Sequence, residues 1–323
     1  MEHIKFVKRP RLKNPALIAA WPGMGEVAFK AASFLVDKLR AEPFAELPSQ
    51  EYFYLTESIV QKGVLSLPDE PFSRFYFVKS RGAPQDLIVF LSDAQPDLAR
   101  AEDYCRNIID LARHYKVKTV ISFAAMPQPI DHTHPPNVWY AATTPEIAAH
   151  LKQFNAQLLS DGQISGLNGL FLGLAKKAGF EGFCLLGEIP LYTIQIENPK
   201  ASQAVLDVTA RILGFKLDFG ELQEQARAME EQINGLLEHL KLGPSNAPGP
   251  IGEEEIEKIK KSLSQLTKLP ASVKEKIEKL FVQAKTDISR ASELKAELDK
   301  WSVYKEYEDR FLDLFKKSKE KNN

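Results

Sequence analysis

The sequence has little cysteine, no long apolar run and almost no net charge, and each shortage excludes a class of protein. Its 323 residues include two cysteines, Cys105 and Cys184, which excludes a disulfide framework and makes a reducing cytoplasm the expected location. No apolar run is long enough to span a membrane, and residues 1–6 carry charge where a signal peptide has its apolar core. The net charge of −1 gives no electrostatic reason to expect nucleic acid or a membrane surface as a partner.

What is present is typical of a globular chain with one large or two ordinary domains. Hydrophobic residues make up 44% and charged residues 26%, enough apolar material for a sizeable core. The pattern changes near residue 220. We predict an α/β domain over residues 1–220 and a helical extension over 221–323, with a linker near 242–252 that is rich in proline and glycine.

The chain is organised around a short stretch close to its start. Residues 16–20 predict a buried strand, and residues 27–39 an apolar helix. Between them lies a turn with Pro22, Gly23 and Gly25, and its glycines permit φ > 0 and close approach of another group. The sequence therefore opens with the first strand–turn–helix step of an α/β fold.

Two interpretations of this turn stay open. The free N–H groups at a helix start suit an anion, so Gly23, Met24 and Gly25 predict a phosphate or carboxylate cradle beside Pro22. Alternatively, the segment is a tight turn that binds nothing. Its spacing matches neither the dinucleotide fingerprint nor the nucleoside-triphosphate loop.

A second strand–helix–strand unit comes next, and a long loop leaves its last strand. Strands at 86–91 and 117–123 flank a helix at about 98–115, which predicts parallel pairing. The proline-rich loop after them contains Asp131, His132 and His134, which raises the hypothesis of a metal site. Because no further ligand cluster accompanies them, we favour a solvated or interface loop and expect no metal and no cofactor.

A second glycine-rich turn opens another apolar helix at about residue 167. Gly166, Gly169 and Gly173 would allow close packing against a sheet or another subunit. Asn168 has two interpretations, as a helix cap or as a polar group that lines the same cleft as the first turn. A buried strand comes after this helix, and in it we expect Cys184 to be a core thiol.

The last third of the chain predicts amphipathic helices. Apolar residues recur at alternating spacings of four and three from residue 222 to 240, then on helices at about 253–267 and from 271 onward. These helices predict a hairpin or small bundle, because faces this apolar do not stay bare.

The chain resembles the proteasome assembly chaperone 2 family over about residues 14 to 220. The motifs that carry the resemblance are Pro22-Gly23-Met24-Gly25, His132-Thr133-His134-Pro135, Ile164-Ser165-Gly166-Leu167-Asn168-Gly169-Leu170 and Leu186-Gly187-Glu188-Ile189-Pro190. His134 stands where many relatives have arginine.

This resemblance implies a fold and a partner. The implied fold is a three-layer α/β/α sandwich with a mostly parallel central sheet, similar to the purine nucleoside phosphorylase class, plus a helical extension. The implied state is a homo-oligomer, with a trimer as the suggested form. The implied role is a chaperone that binds proteasome α subunits in organisms that have them.

The residues and the resemblance leave three functional hypotheses. The first is a non-catalytic assembly chaperone or protein-binding module, since no nucleophile–base pair stands close in sequence. The second is an enzyme or sensor for a small anionic or nucleoside-like ligand, with the Gly23–Gly25 turn as cradle and His132 and Asn168 as polar groups of one cleft. The third is a structural oligomer without a ligand.

Overall fold

The computed structural model describes residues 3–54, 58–80, 82, 84–242, 271–300 and 303–319. The chain forms two compact units. The first contains Met1–Met126, His134–Ile189 and Glu197–Arg227, and the second contains Pro127–Thr133, Pro190–Ile196 and Ala228–Asn323. The predicted linker and the predicted helix at 253–267 lie outside the described residues.

The described residues contain eleven strands. They are β1 (Lys5–Phe6), β2 (Ala16–Ala20), β3 (Glu42–Glu46), β4 (Ile59–Gln61), β5 (Val64–Ser66), β6 (Ser73–Val78), β7 (Leu87–Ser92), β8 (Thr119–Gln128), β9 (Val138–Ala142), β10 (Gln157–Leu158) and β11 (Glu181–Pro190). Nine of these strands form one sheet in the order β1-β3-β6-β7-β2-β8-β11-β9-β10, and β4 and β5 form a separate hairpin.

The helices of the described residues lie between and after these strands. They are α1 (Val27–Lys38), α2 (Ala101–His114), α3 (Pro145–Leu151), α4 (Leu167–Lys177), α5 (Pro199–Leu213), α6 (Gly220–Leu242), α7 (Ala271–Thr286), α8 (Ala291–Lys300) and α9 (Tyr304–Lys319). Among the described residues, none of these helices combines the length and the apolarity that crossing a lipid bilayer requires.

The centre of the large sheet is parallel. Strand β2 pairs in parallel with β7 on one side and with β8 on the other, so β7 and β8 run in the same direction, as predicted, with β2 between them. All five residues of β2 are buried, because helices cover both faces of a parallel centre. Antiparallel pairs flank this centre, among them β6 with β7 and β9 with β11.

Helices pack in two pairs against this sheet: α1 lies against α5, and α2 lies against α4. The core on the α2 and α4 side combines Leu17 and Ala19 of β2 with Tyr104 and Phe171 of the helices. In the second unit, α7, α8 and α9 pack on one another, and Phe281 contacts Tyr307 at a centroid distance of 5.8 Å. The predicted α/β fold with a sheet between helices and a helical extension is confirmed.

The short aromatic-rich run at residues 51–55 predicts a strand, but its described part, residues 51–54, contains none. The aromatic run around Tyr52 forms a 3-10 turn at Ser49–Glu51 and then irregular chain. Tyr52 is buried against Tyr104 at a centroid distance of 5.1 Å, and its hydroxyl accepts a hydrogen bond from Asn107. The aromatic residues in this run therefore reflect side-chain packing on α2 and not sheet pairing.

We expect Gly169→Ala to lower the free energy of unfolding by about 1–3 kcal/mol, as overpacking does in cores. A Cβ at residue 169 would lie 2.0 Å from the backbone oxygen of Ile164, so the backbone itself must move. The control is Gly173→Ala on the same helix, where nothing lies within 4 Å. That variant should gain about 0.5–1 kcal/mol from helix propensity. Equal urea midpoints for the two variants would contradict the close approach.

Candidate functional site

The turn after β2 has an unusual backbone. Gly25 and Glu26 both adopt left-handed conformations, with φ of 60° and 51°. A Cβ on Gly25 would meet Ile189 at 3.2 Å, and the Gly25 oxygen accepts a hydrogen bond from the Asn198 N–H at 2.8 Å. Conformation and packing both require glycine at 25, and the left-handed Glu26 beside it is strained.

Gly23 is different, because neither conformation nor packing requires glycine there. Its backbone is extended, with φ of −169°, and an added Cβ would lie 3.5 Å from the Asn168 amide nitrogen, an ordinary contact. Gly23 is exposed, while Pro22 and Met24 on either side are half-buried. Residue 23 therefore presents bare backbone at the surface.

Asn168 joins the second glycine turn to the first. Its Oδ1 accepts from the backbone N–H of Trp21 at 3.1 Å, and its Nδ2 donates to the Trp21 oxygen at 3.2 Å. Asn168 is buried at the second position of α4, and Gly166 is the N-cap residue with no side-chain bond. The helix-cap interpretation of Asn168 is therefore wrong: its amide is engaged with the chain segment that leaves β2.

Gln95 forms a second link between the two turns, and sequence reasoning missed it. Its Nε2 donates to the Pro22 oxygen at 2.7 Å, and its Oε1 accepts from the Leu167 N–H at 3.2 Å. Gln95 comes shortly after β7, which runs parallel to β2, so both strands end at the same edge of the sheet. The sequence could have indicated this contact, since a polar residue just after β7 must lie near the turn after the neighbouring parallel strand β2.

Trp21 is a core residue at this edge. Its ring packs between Phe90 and Phe171 at centroid distances of 5.5 and 5.4 Å, and its Nε1 donates to the Tyr104 hydroxyl at 3.4 Å. The Tyr104 hydroxyl also bonds Ser73 at 2.5 Å, and burial raises the pKa of Tyr104 well above its usual value. The residue that precedes the turn is thus held in the core by a cluster of aromatic side chains.

Negative charge accompanies the turn. Burial and the neighbouring Glu197 carboxylate raise the pKa of Glu26, while a hydrogen bond from the Gly23 backbone opposes that rise. Glu197 in turn pairs with Lys30 at 3.0 Å. The turn therefore carries carboxylates of the chain itself, which disfavour a bound anion.

His132 belongs to the second compact unit, whereas the two glycine turns belong to the first. Its Nδ1 lies 2.9 Å from the Tyr192 hydroxyl, which also accepts the His132 backbone N–H at 2.8 Å. Its Nε2 lies 2.8 Å from Oδ1 of Asn234 on α6. Nδ1 also lies 3.2 Å from Oδ1 of Asp131. His132 thus ties its loop to α6 and to the Tyr192 segment.

The described residues contain no cluster of three His, Cys, Asp or Glu side chains placed to hold a metal ion. Asp131 accepts instead from the backbone and hydroxyl of Thr133, at 3.0 and 2.9 Å. Both cysteines are buried, and burial raises the pKa of Cys105 and of Cys184 to about 12. The prediction of a core thiol at Cys184 is confirmed.

Glu188 is a buried carboxylate near the end of β11. It accepts from the Asn137 backbone and side chain at 3.0 and 2.9 Å and from Trp139 Nε1 at 2.7 Å. These three bonds satisfy a group that would otherwise be costly to bury. Glu188 therefore holds the start of β9 in place.

We expect Asn168→Ala to lower the free energy of unfolding by about 2–4 kcal/mol, because two buried backbone groups of Trp21 lose their partners. Gln95→Ala is the matched control. This variant removes the hydrogen bonds to Pro22 and Leu167, which lie nearer the solvent at the same edge of the sheet. It should lower the free energy of unfolding by about 1 kcal/mol or less. Urea unfolding measures both. An Asn168 variant as stable as the Gln95 variant would contradict the role of the Asn168 amide.

We expect Glu26→Gln to flatten the pH dependence of stability. The folded pKa of Glu26 is raised above 4.5, so the folded state holds that proton more tightly than the unfolded chain does. The wild type therefore loses free energy of unfolding as the pH rises from about 4.5 through the folded pKa, and the Gln variant does not. Urea unfolding from pH 4 to pH 8 checks this. Parallel curves for the two proteins would contradict it.

Comparison with known proteins shows which proteins this chain resembles. The PAC2 family model matches residues 17–237. An uncharacterized protein of Methanocaldococcus jannaschii, MJ1210, is 28% identical over 225 residues, which cover 69% of this chain and 83% of that one.

Solved structures share the fold. The Pyrococcus furiosus PbaB structure, described as an archaeal proteasome activator, has a TM-score of 0.62 at 28% identity and covers 72% of this chain and 97% of its own. Pyrococcus furiosus PbaA, described as an archaeal homolog of proteasome-assembly chaperone, has a TM-score of 0.58 at 23% identity over 82% and 99%. Because the family model spans more than half of the sequence, this chain belongs to the PAC2 family.

Proposed function

We propose that this protein is a non-catalytic assembly chaperone of the cytoplasm that acts as a homo-oligomer and binds proteasome α subunits. The observation that carries the proposal is the similarity to the proteasome activator PbaB, which extends over 97% of that chain. Membership of the PAC2 family is consistent with a protein partner.

The geometry of the two turns supports a binding role over a catalytic one. The Asn168 amide is engaged with Trp21, and the Gln95 amide with Pro22 and Leu167. Polar groups engaged in this way hold the backbone and are not poised for proton transfer. What the turn offers outward is the exposed backbone at Gly23 beside half-buried Pro22 and Met24, a surface suited to close contact with another chain.

The alternative of a small anionic or nucleoside-like ligand at the Gly23–Gly25 turn has weaker physical support. Glu26 lies in this turn, and Glu197 lies close enough to raise the pKa of Glu26. Both carboxylates would repel an incoming phosphate. In the same vein, His132 is engaged with Tyr192 and Asn234 within the other unit.

We expect Gly23→Leu to weaken binding to recombinant proteasome α subunits of the same organism at least tenfold while leaving the fold intact. The extended backbone accepts a leucine, whose Cβ would lie 3.5 Å from the Asn168 amide nitrogen, an ordinary contact. The side chain would fill the space that a partner would approach. Native mass spectrometry and titration of the α subunits measure the effect.

Gly173→Leu is the control, because residue 173 is also exposed and has nothing within 4 Å of its Cβ position. It should bind as the wild type does. If the wild-type protein binds no α subunit, the proposed partner is wrong. If the Gly23 variant binds as tightly as the wild type, the partner contacts another surface.

A further inference from the structure

A cavity of about 790 Å³ opens at the edge of the large sheet that lies opposite the glycine turns. Strand β7 begins at this edge with Leu87, and its antiparallel neighbour β6 ends there with Val78. The first glycine turn follows the other end of β2, which runs parallel to β7. The cavity is therefore distinct from the glycine turns and from the amides that link them.

Part of the cavity lining is apolar. Phe77 and Leu87 line it from β6 and β7, and both are buried. Leu39 and Phe215, just after α1 and α5, complete this part and are half-buried. Pockets for small molecules have volumes of roughly 300–1,000 Å³ and are lined mainly by hydrophobic and aromatic side chains. The size and the two aromatic rings therefore suit a small ligand with a flat apolar body.

Three cations accompany this apolar lining. Arg40, Lys79 and Lys216 line the cavity and are exposed. Within the described part of the chain, none of the three forms an ion pair. Glu42 is the one carboxylate among the described lining residues, and Lys8 already binds it at 2.6 Å. The cavity therefore carries uncompensated positive charge.

Other carboxylates of this region have partners of their own. Asp86 lies just before β7 and accepts from two backbone N–H groups, at 2.9 and 2.6 Å. A hydrogen bond from Lys38 to Glu221, at 2.8 Å, raises the pKa of Lys38, and the charges of Asp218 and Asp37 raise it further. None of these carboxylates forms an ion pair with a cation of the cavity lining.

Helix dipoles account for two of the three cations but not for the third. Arg40 lies two residues beyond the end of α1, and Lys216 lies three residues beyond the end of α5, where the dipole favours positive charge. Lys79 directly follows β6, and a strand end has no comparable dipole. Its place beside two other cations therefore calls for another explanation.

We propose that this cavity binds a small organic phosphate, with an apolar ring against Phe77 and Phe215 and the phosphate among Arg40, Lys79 and Lys216. A cleft lined by charge of one sign concentrates ions of the opposite sign. Three cations match a phosphate monoester, which carries a charge of about −1.5 to −2 at pH 7, better than they match a single carboxylate. The arginine can contact two phosphate oxygens at once.

Three probes separate the two parts of the proposed ligand. They are 1-naphthyl phosphate, 1-naphthol, which lacks the charge, and inorganic phosphate, which lacks the ring. Isothermal titration calorimetry of the full chain should give 1-naphthyl phosphate an affinity about tenfold or more above that of either fragment. Phe215→Ala should weaken its binding about threefold or more, because an aromatic contact is lost.

Charge reversal tests the cations. Lys79→Glu combined with Lys216→Glu should weaken binding of 1-naphthyl phosphate about tenfold or more. The control is Lys176→Glu combined with Lys177→Glu, which changes the net charge by the same amount at two exposed residues in the last turn of α4. It should bind as the wild type does. Because all four lysines are exposed, circular dichroism and the Tm should stay close to wild-type values.

Three results would overturn the inference. They are equal affinities of the two double variants, a Phe215→Ala variant that binds 1-naphthyl phosphate as the wild type does, and inorganic phosphate binding as tightly as 1-naphthyl phosphate. These titrations contain no proteasome subunit, so their outcome is independent of the proposed chaperone role.

Discussion

Two hydrogen bonds between the Asn168 side-chain amide and the Trp21 backbone fix the path of the chain at the end of β2. The arrangement of both glycine turns depends on them. Strand β2 ends at Ala20, so Trp21 loses its strand neighbours while its ring is still fully buried among Phe90 and Phe171. Buried backbone groups must find partners. Asn168 supplies one donor and one acceptor in the geometry of a neighbouring strand, and this lets the chain leave the sheet at a defined point.

That anchor produces a rigid turn whose polar groups bind one another. The Gln95 amide donates to the Pro22 oxygen, Gly25 packs against Ile189, and the Glu26 backbone N–H donates to the Gly23 oxygen. The left-handed backbone at Gly25 and Glu26 is held by these neighbours. A turn whose backbone is already held by its own contacts loses little conformational entropy when another molecule binds to it.

Local patterns in the sequence were sufficient for the elements but not for the site. The apolar run at Ala16–Ala20 predicts the central strand, and the apolar pattern at about 98–115 predicts the helix found at Ala101–His114. The partner of Trp21 lies 147 residues away in sequence, and no local pattern encodes that pairing. His132 was grouped with the glycine turns because polar loops at strand ends converge, yet it lies in the other compact unit. The aromatic content around Tyr52 indicates a strand, but the segment forms none, because Tyr52 is buried against Tyr104 of α2 instead of pairing in the sheet.

The first unit therefore carries two surfaces of different chemistry. One is bare backbone at Gly23, and the other is the apolar hairpin of β4 and β5. An exposed apolar strand pair is an aggregation hazard in a free monomer, because its edges and its face both accept other chains. At 63% and 69% exposure, Val60 and Leu65 present that apolar surface to water, whereas the glycine turn presents backbone beside the half-buried Met24.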